Sequence, residues 1–232
     1  MIQMRCRYGF WRLKGNDTKR RQFASNTEVL YHYVMKQTEQ LLNILQQTSI
    51  LRPNDLATYG ISRLALYTLH RQGKVVRTGR GLYTLSTAEL SEHHSLAEVC
   101  KRTPHGVICL LSALRFHNIG TQNPIEVWLA IDHKARQPKF AYPPMRIVRF
   151  SGPALIEGVE EFVIEGVTVC VYTIAKTIAD CFKYRNKIGL DVCLEALREC
   201  RRTRRCTIDE IWHYAKICRV SNVILPYLEA LT

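Results

Sequence analysis

Between Thr38 and Leu85 the chain is cut at short intervals by residues that end helices or make turns. Leu41, Leu42, Ile44 and Leu45 follow Thr38 at helical spacing, which predicts a first helix to about Thr48. Pro53 is pre-organised for a first helical turn and predicts a short helix over Pro53–Tyr59, with Leu56 and Ala57 inward. Gly60 stops it. Ser62 is placed to cap a third helix that runs to about Gln72 and is closed by Gly73. Val75 and Val76 then lead into a ribbon, Thr78-Gly79-Arg80-Gly81 turns it, and Leu82-Tyr83-Thr84-Leu85 returns. Helix, short helix, helix, hairpin is the order of a winged helix-turn-helix.

The third helix has two faces. Ala65, Leu66 and Leu69 are expected inward, and Arg63, Tyr67 and Arg71 share the opposite face at i, i+4, i+8. The hairpin carries Lys74, Arg77 and Arg80. A basic-aromatic stripe beside a basic wing suits a major groove flanked by phosphates. Ser62, Arg63, Tyr67, Arg71, Lys74, Arg77 and Arg80 are therefore the expected DNA contacts. The bland reading of the same surface is a solvated face on a winged module that binds protein.

Charge supports a polyanionic partner, with 33 Lys+Arg against 20 Asp+Glu. It is unevenly spread. Residues 1–37 hold eight basic and two acidic side chains, with Gly9, Gly15, Asn16 and Asp17 breaking helical pattern early. They read either as a flexible basic arm or as residues upstream of a start at Met35. Hydrophobic residues make up 47% of the chain, which excludes wholesale disorder. No stretch is long and apolar enough to cross a bilayer, so a cytoplasmic protein that engages no membrane is expected. The nine cysteines are scattered with no Cys-x-x-Cys pair, and packed, reduced thiols are expected rather than a disulfide framework.

After the winged module (38–87), residues 88–105 read as a helical connector and 106–232 as a larger mixed domain. Strands are predicted over Ile125–Ile131 and Met145–Phe150, and a hairpin over Glu161–Glu165 and Val167–Tyr172. Helices follow at about Ile174–Tyr184, Leu190–Arg201, Ile208–Cys218 and Asn222–Leu231. The fold class is thus α+β, a winged helix-turn-helix followed by a mixed α/β domain.

Catalytic motifs are absent. There is no phosphate-cradling Gly-x-x-x-x-Gly-Lys and no Gly-x-Ser-x-Gly elbow. His93-His94 lacks a third ligand nearby, and His105, Cys109 and His117 read as a packed thiol with surface histidines. Asp180, on an apolar helix, is expected to pair with a cation, with Lys183, Tyr184 and Arg185 as candidate partners. Arg198, Arg201, Arg202, Arg204 and Arg205 form the densest charge of the second domain. They read equally as a solvated helix end and as a contact surface. No catalytic residue, cofactor or metal is expected.

The strings GRGLYTL (79–85), ICLLSALRFHNIGTQNP (108–124), VWLAI (127–131) and TIADCFKYRNKIGLD (177–191) resemble the AbiEi family of antitoxins from type IV toxin–antitoxin, abortive-infection systems. The resemblance spans roughly residues 38–231. It implies a winged helix joined to a C-terminal domain that supplies antitoxicity. It also implies repression of the protein's own operon at promoter repeats in double-stranded DNA, and antagonism of a nucleotidyltransferase-like toxin. Ser62, Arg63, Tyr67 and Arg71 fall on the family's recognition helix, and Lys74, Arg77 and Arg80 on its wing. The basic segment 1–37 lies outside the family's pattern. Winged readers of inverted repeats act in pairs on DNA, and a monomer in solution is compatible with that. Two rival functions remain from the residues alone. One is a metal-dependent nuclease built on Asp180 and the acids at 157–165. The other is a transcription regulator with a sensing C-terminal domain and no toxin partner.

Overall fold

A computed structural model describes residues 17–79, 81–88, 91–140 and 142–230, with side chains described from residue 32. The winged module is built from α1 (Asp17–Thr48), a 3-10 helix (Asp55–Tyr59), α2 (Arg63–Arg71) and the antiparallel ribbon β1 (Val75–Gly79) and β2 (Leu82–Leu85). Leu51 adds a third, one-residue rung by exchanging backbone hydrogen bonds with Tyr83 at 2.9 Å. Its core is Leu41, Leu45, Leu51, Leu56, Ile61, Ala65, Leu66, Leu69 and Val75.

Two expectations about this module change. The first helix begins at Asp17, not Thr38, so residues 17–37 are helix rather than part of an arm. No glycine or proline interrupts the chain from Lys19 to Leu51, and Asp17 favours a helix N-terminus. Apolar spacing alone hides this stretch, because among the described side chains the buried residues preceding Leu41 are the polar Gln37 and Thr38. Ala57 is exposed rather than inward, because the tighter 3-10 turn points only Leu56 to the core.

The second part is a five-stranded mixed sheet in the order β5 (Met145–Phe150), β4 (Val127–Asp132), β3 (Val107–Ile108), β7 (Val167–Tyr172) and β6 (Val159–Ile164). β4–β5 and β3–β7 are parallel, while β3–β4 and β6–β7 are antiparallel. Side chains alternate across the sheet as the strand pleat requires. Trp128, Ala130, Val148, Phe150 and Tyr172 enter one apolar layer. Val127, Leu129, Ile131, Val167, Val169 and Val171 enter the other.

The first layer is filled by α4 (Leu110–Phe116), α5 (Pro153–Ile156), α6 (Ile174–Lys183), α8 (Leu190–Thr203), α9 (Ile208–Ile217) and α10 (Ser221–Glu229), with the single turn α7 (Arg185–Ile188) leading into α8. The opposite layer is filled by α3 (His94–Arg102) through Leu96, Ala97, Val99 and Cys100, together with Ile50 and Leu82 of the winged module. The segment expected as a connector is therefore a structural layer shared by both parts of the chain. Around it, Lys101 pairs with Asp55 at 2.7 Å, and Glu165 in the β6–β7 turn accepts from Ser91 and pairs with His94 at 2.7 Å.

At the centre of the helical layer Lys176 and Asp180 form an ion pair of 2.5 Å in which both side chains are wholly enclosed. The lysine one turn earlier, rather than Lys183, Tyr184 or Arg185, is thus the partner of Asp180. It is the only one of these groups that is wholly enclosed beside the carboxylate. Cys218 donates to the second carboxylate oxygen at 3.1 Å, and the ammonium lies 4.2 Å from the Tyr172 ring centroid and 4.7 Å from that of Phe150. Burial raises the pKa of the Asp180 carboxyl, and Lys176 opposes that rise. Removing one charge strands the other in apolar surroundings. Asp180→Ala is therefore expected to cost about 3–5 kcal/mol of stability, and the paired replacement Lys176→Met/Asp180→Leu far less, in urea unfolding. Equal losses for both would show that the pair's charge is not what the core depends on.

Candidate nucleic-acid interface

The α2 helix buries Ala65, Leu66 and Leu69, and this fixes what its other face presents. Arg63, Tyr67 and Arg71 are all exposed, Tyr67 at 63%. Leu64, half exposed, widens the stripe with an apolar contact. No acidic residue lies on α2, and His70 and Arg71 occupy its last turn. Arg63 donates to the Asn54 side chain at 3.3 Å, which holds its guanidinium over the turn preceding the helix.

Ser62 behaves differently from the expectation. It occupies the N-cap position without capping by its side chain. Its hydroxyl and backbone N–H instead both donate to Gln37 Oε1, at 2.6 and 3.2 Å. Gln37 in turn donates from Nε2 to the Gly60 carbonyl at 3.1 Å. A buried glutamine on α1 therefore sets the position at which α2 begins. Sequence reading missed Gln37 because a polar residue on an inward stripe looks like an exposed one.

On the ribbon, Lys74 and Arg77 are exposed, and Arg77 donates from Nε to the Gly79 carbonyl at 3.1 Å. Arg80 lies outside the described residues. The turn end of the ribbon is held by α3. A side-chain carbon at Gly79 would fall 1.8 Å from Arg102 Nη2 and 2.9 Å from Glu98 Oε1. A side chain there obliges Arg102 or the ribbon to shift. Arg102 and Glu98 pair at 2.6 Å with both side chains nearly enclosed. Burial raises the Glu98 pKa, against the pull of Arg102 and His94. The i, i+4 spacing of His94, Glu98 and Arg102 is the sequence signal that marks this cluster.

Elsewhere, the expected histidine and cysteine arrangements change. His117 is buried, with Nε2 2.8 Å from the Tyr172 carbonyl, rather than on the surface, and burial lowers its pKa. Cys109 is buried as expected. Cys200 and Cys206 meet at the α8–α9 corner, with their Cα atoms 6.0 Å apart. Asp180, the residue on which a nuclease reading rested, is enclosed and committed to Lys176, so no phosphodiester reaches it. Among the described residues no helix is long and apolar enough to cross a membrane.

Three helical elements, a ribbon with a third rung, and an exposed basic-aromatic helix define the first part of the chain as a winged helix-turn-helix of the kind that reads DNA. More narrowly, residues 39–86 match the family described as "Transcriptional regulator, AbiEi antitoxin". The resemblance drawn from the sequence is borne out over that segment, whose ends fall inside α1 and just after β2. None of the curated proteins matches the chain.

Because Gly79 rests on Arg102, the two positions should be energetically coupled. Gly79→Ala is expected to cost about 1–3 kcal/mol through overpacking. Combined with Arg102→Ala it should cost less than the sum of the single changes, by about 1 kcal/mol or more in a denaturation double-mutant cycle. Strict additivity would show that the wing does not depend on this contact.

Proposed function

We propose that the chain is a repressor of its own operon and the antitoxin of a type IV pair, antagonising a nucleotidyltransferase-like toxin. The observation that carries the reading is the placement of exposed Arg63, Tyr67 and Arg71 along one face of α2, with Lys74 and Arg77 beside them on the ribbon, inside the segment matched to an antitoxin regulator family. In this reading α2 enters the major groove with Arg63 and Tyr67 at base edges. Arg71 and the wing meet phosphates, and Ser62 acts by fixing the helix start. Arg80 belongs to the same set by its place in the sequence, between Gly79 and Gly81. The second domain carries the antitoxicity.

Roles differ between the contacts, and so do their signatures. Arg63→Ala is expected to lower the preference for promoter repeats over unrelated DNA by about 1–3 kcal/mol. Lys74→Ala should weaken binding to every sequence and reduce the slope of log affinity against log salt by roughly 1. Gel-shift titrations with the protein's own upstream region and with unrelated DNA, each at two salt concentrations, measure both. Unchanged binding by the two variants would remove this surface as the interface.

The antitoxin half has its own test. A nucleotidyltransferase-like reading frame is expected beside the gene, and its product should arrest growth when expressed alone. Co-expression of this chain should restore growth. Persistent arrest would leave a regulator without a toxin partner, the rival to which the winged module lends equal support.

A further inference from the structure

The wing's support has a cavity behind it. Arg102, which seats Gly79, is also part of the wall of a cavity of about 580 Å³ between the end of α3, the end of β4 and residues 135–139. Such a volume falls within the range of small-molecule sites. Its walls are largely apolar, with Pro104, Ile131 and Leu155 among them. Its charged groups are mostly cationic, because Arg102, Arg136 and Lys139 all line it. The single carboxylate of the lining, Asp132, already accepts from the Lys134 backbone at 2.8 Å and lies 3.5 Å from His133.

Arg102 supplies a second, independent observation. Its side chain is 8% exposed. One terminal nitrogen donates to Glu98 and the other to the Tyr142 carbonyl at 2.8 Å, and the group lies 4.7 Å from the Phe140 ring centroid. Its Nε–H is buried and has no acceptor among the described residues. A buried donor left unmade is costly, and an oxygen anion satisfies it with a charge-assisted bond.

We propose that this cavity binds an amphiphilic organic anion, an apolar body ending in a carboxylate or similar group, and that occupancy is transmitted to the wing through Arg102. A carboxylate takes two adjacent guanidinium donors side by side, so binding Nε also draws on Nη2, the terminal nitrogen on the same edge, which is now given to Glu98. That draw shifts the nitrogen on which Gly79 rests. The wing then loses its backing, while the module's own core, which excludes Arg102, stays intact. Arg136 and Lys139, both exposed, supply the charge that attracts the anion.

The test uses the full chain and three probes with the same eight-carbon tail: octanoate, 1-octanol and octylammonium. In calorimetric titration octanoate should bind about tenfold or more tightly than 1-octanol, and octylammonium not measurably. The exposed double replacement Arg136→Glu/Lys139→Glu should cost octanoate about tenfold while leaving 1-octanol unchanged. With octanoate bound, amide exchange in β1 and β2 should accelerate by roughly threefold or more. Arg102→Lys, which keeps the charge and lacks the Nε donor, should abolish that acceleration. Equal affinity for octanoate and 1-octanol, or indifference to the charge reversal, overturns the anion site. Octanoate binding with unchanged exchange in the ribbon overturns the coupling. None of these readouts contains DNA, so they stand apart from whether the wing meets a duplex.

Discussion

The guanidinium of Arg102 is where the two halves of the chain become one structure. It pairs with Glu98 on its own helix, reaches the Tyr142 carbonyl in the second domain, and closes against Gly79 of the wing. A two-stranded ribbon alone is marginal in water, and this one has a single extra rung at Leu51. Its stability is borrowed from α3. Leu82 enters the same apolar layer as Leu96, Val99 and the inner residues of β4 and β7. The orientation of the wing relative to α2 is then set by the sheet of the second domain as much as by the winged module. A side chain at position 79 would force either the ribbon or Arg102 to move.

On the far face of the sheet a different polar pair does comparable work. Lys176 and Asp180 lie on α6, which packs against α4, α8, α9 and α10. A purely apolar helix in that place could rotate or slide among such neighbours. The pair fixes one register, since the ammonium must face Tyr172 and Phe150 while the carboxylate meets Cys218. The helical layer and the winged layer therefore share one design. Each is mostly non-directional burial, with one enclosed ion pair that selects an orientation.

The elements were legible where the chain is punctuated and where apolar residues repeat. Gly60 adopts a left-handed conformation at the end of the 3-10 helix, and Gly73 and Gly81 do so at the ends of α2 and the ribbon turn, as their placement implies. The strands from Val127 and Met145 and the hairpin around Gly166 were readable from alternation, and the four C-terminal helices from period. Three things were not. Inward polar residues such as Gln37 and Glu98 are invisible to hydrophobic patterning, because their burial depends on partners distant in sequence. The strand Val107–Ile108 is two residues long and exists only because β4 and β7 flank it. The partner of Asp180 depended on which flank of α6 faces inward, and a candidate chosen by sequence proximity missed the lysine one turn back. For the interface, Arg63, Tyr67 and Arg71 could be placed on one exposed face from spacing alone, whereas the bond from Ser62 to Gln37 required the packing of α1 on α2.

That division bears on how a surface of this kind discriminates between sequences. The excess of 33 basic over 20 acidic residues provides attraction to any polyanion, and attraction of that sort is indifferent to sequence. Discrimination needs side chains delivered to base edges at a fixed angle and depth. Here the angle of α2 is held from one end by Gln37, which grips Ser62 and Gly60, while the wing is held by Arg102 at Gly79. Neither of these positioning residues lies on the exposed basic face. In the proposed reading, the charged face determines how strongly the module is drawn to a duplex. Buried polar groups on α1 and α3 would then set the geometry with which it arrives, so that part of a sequence preference would reside in residues that touch no base.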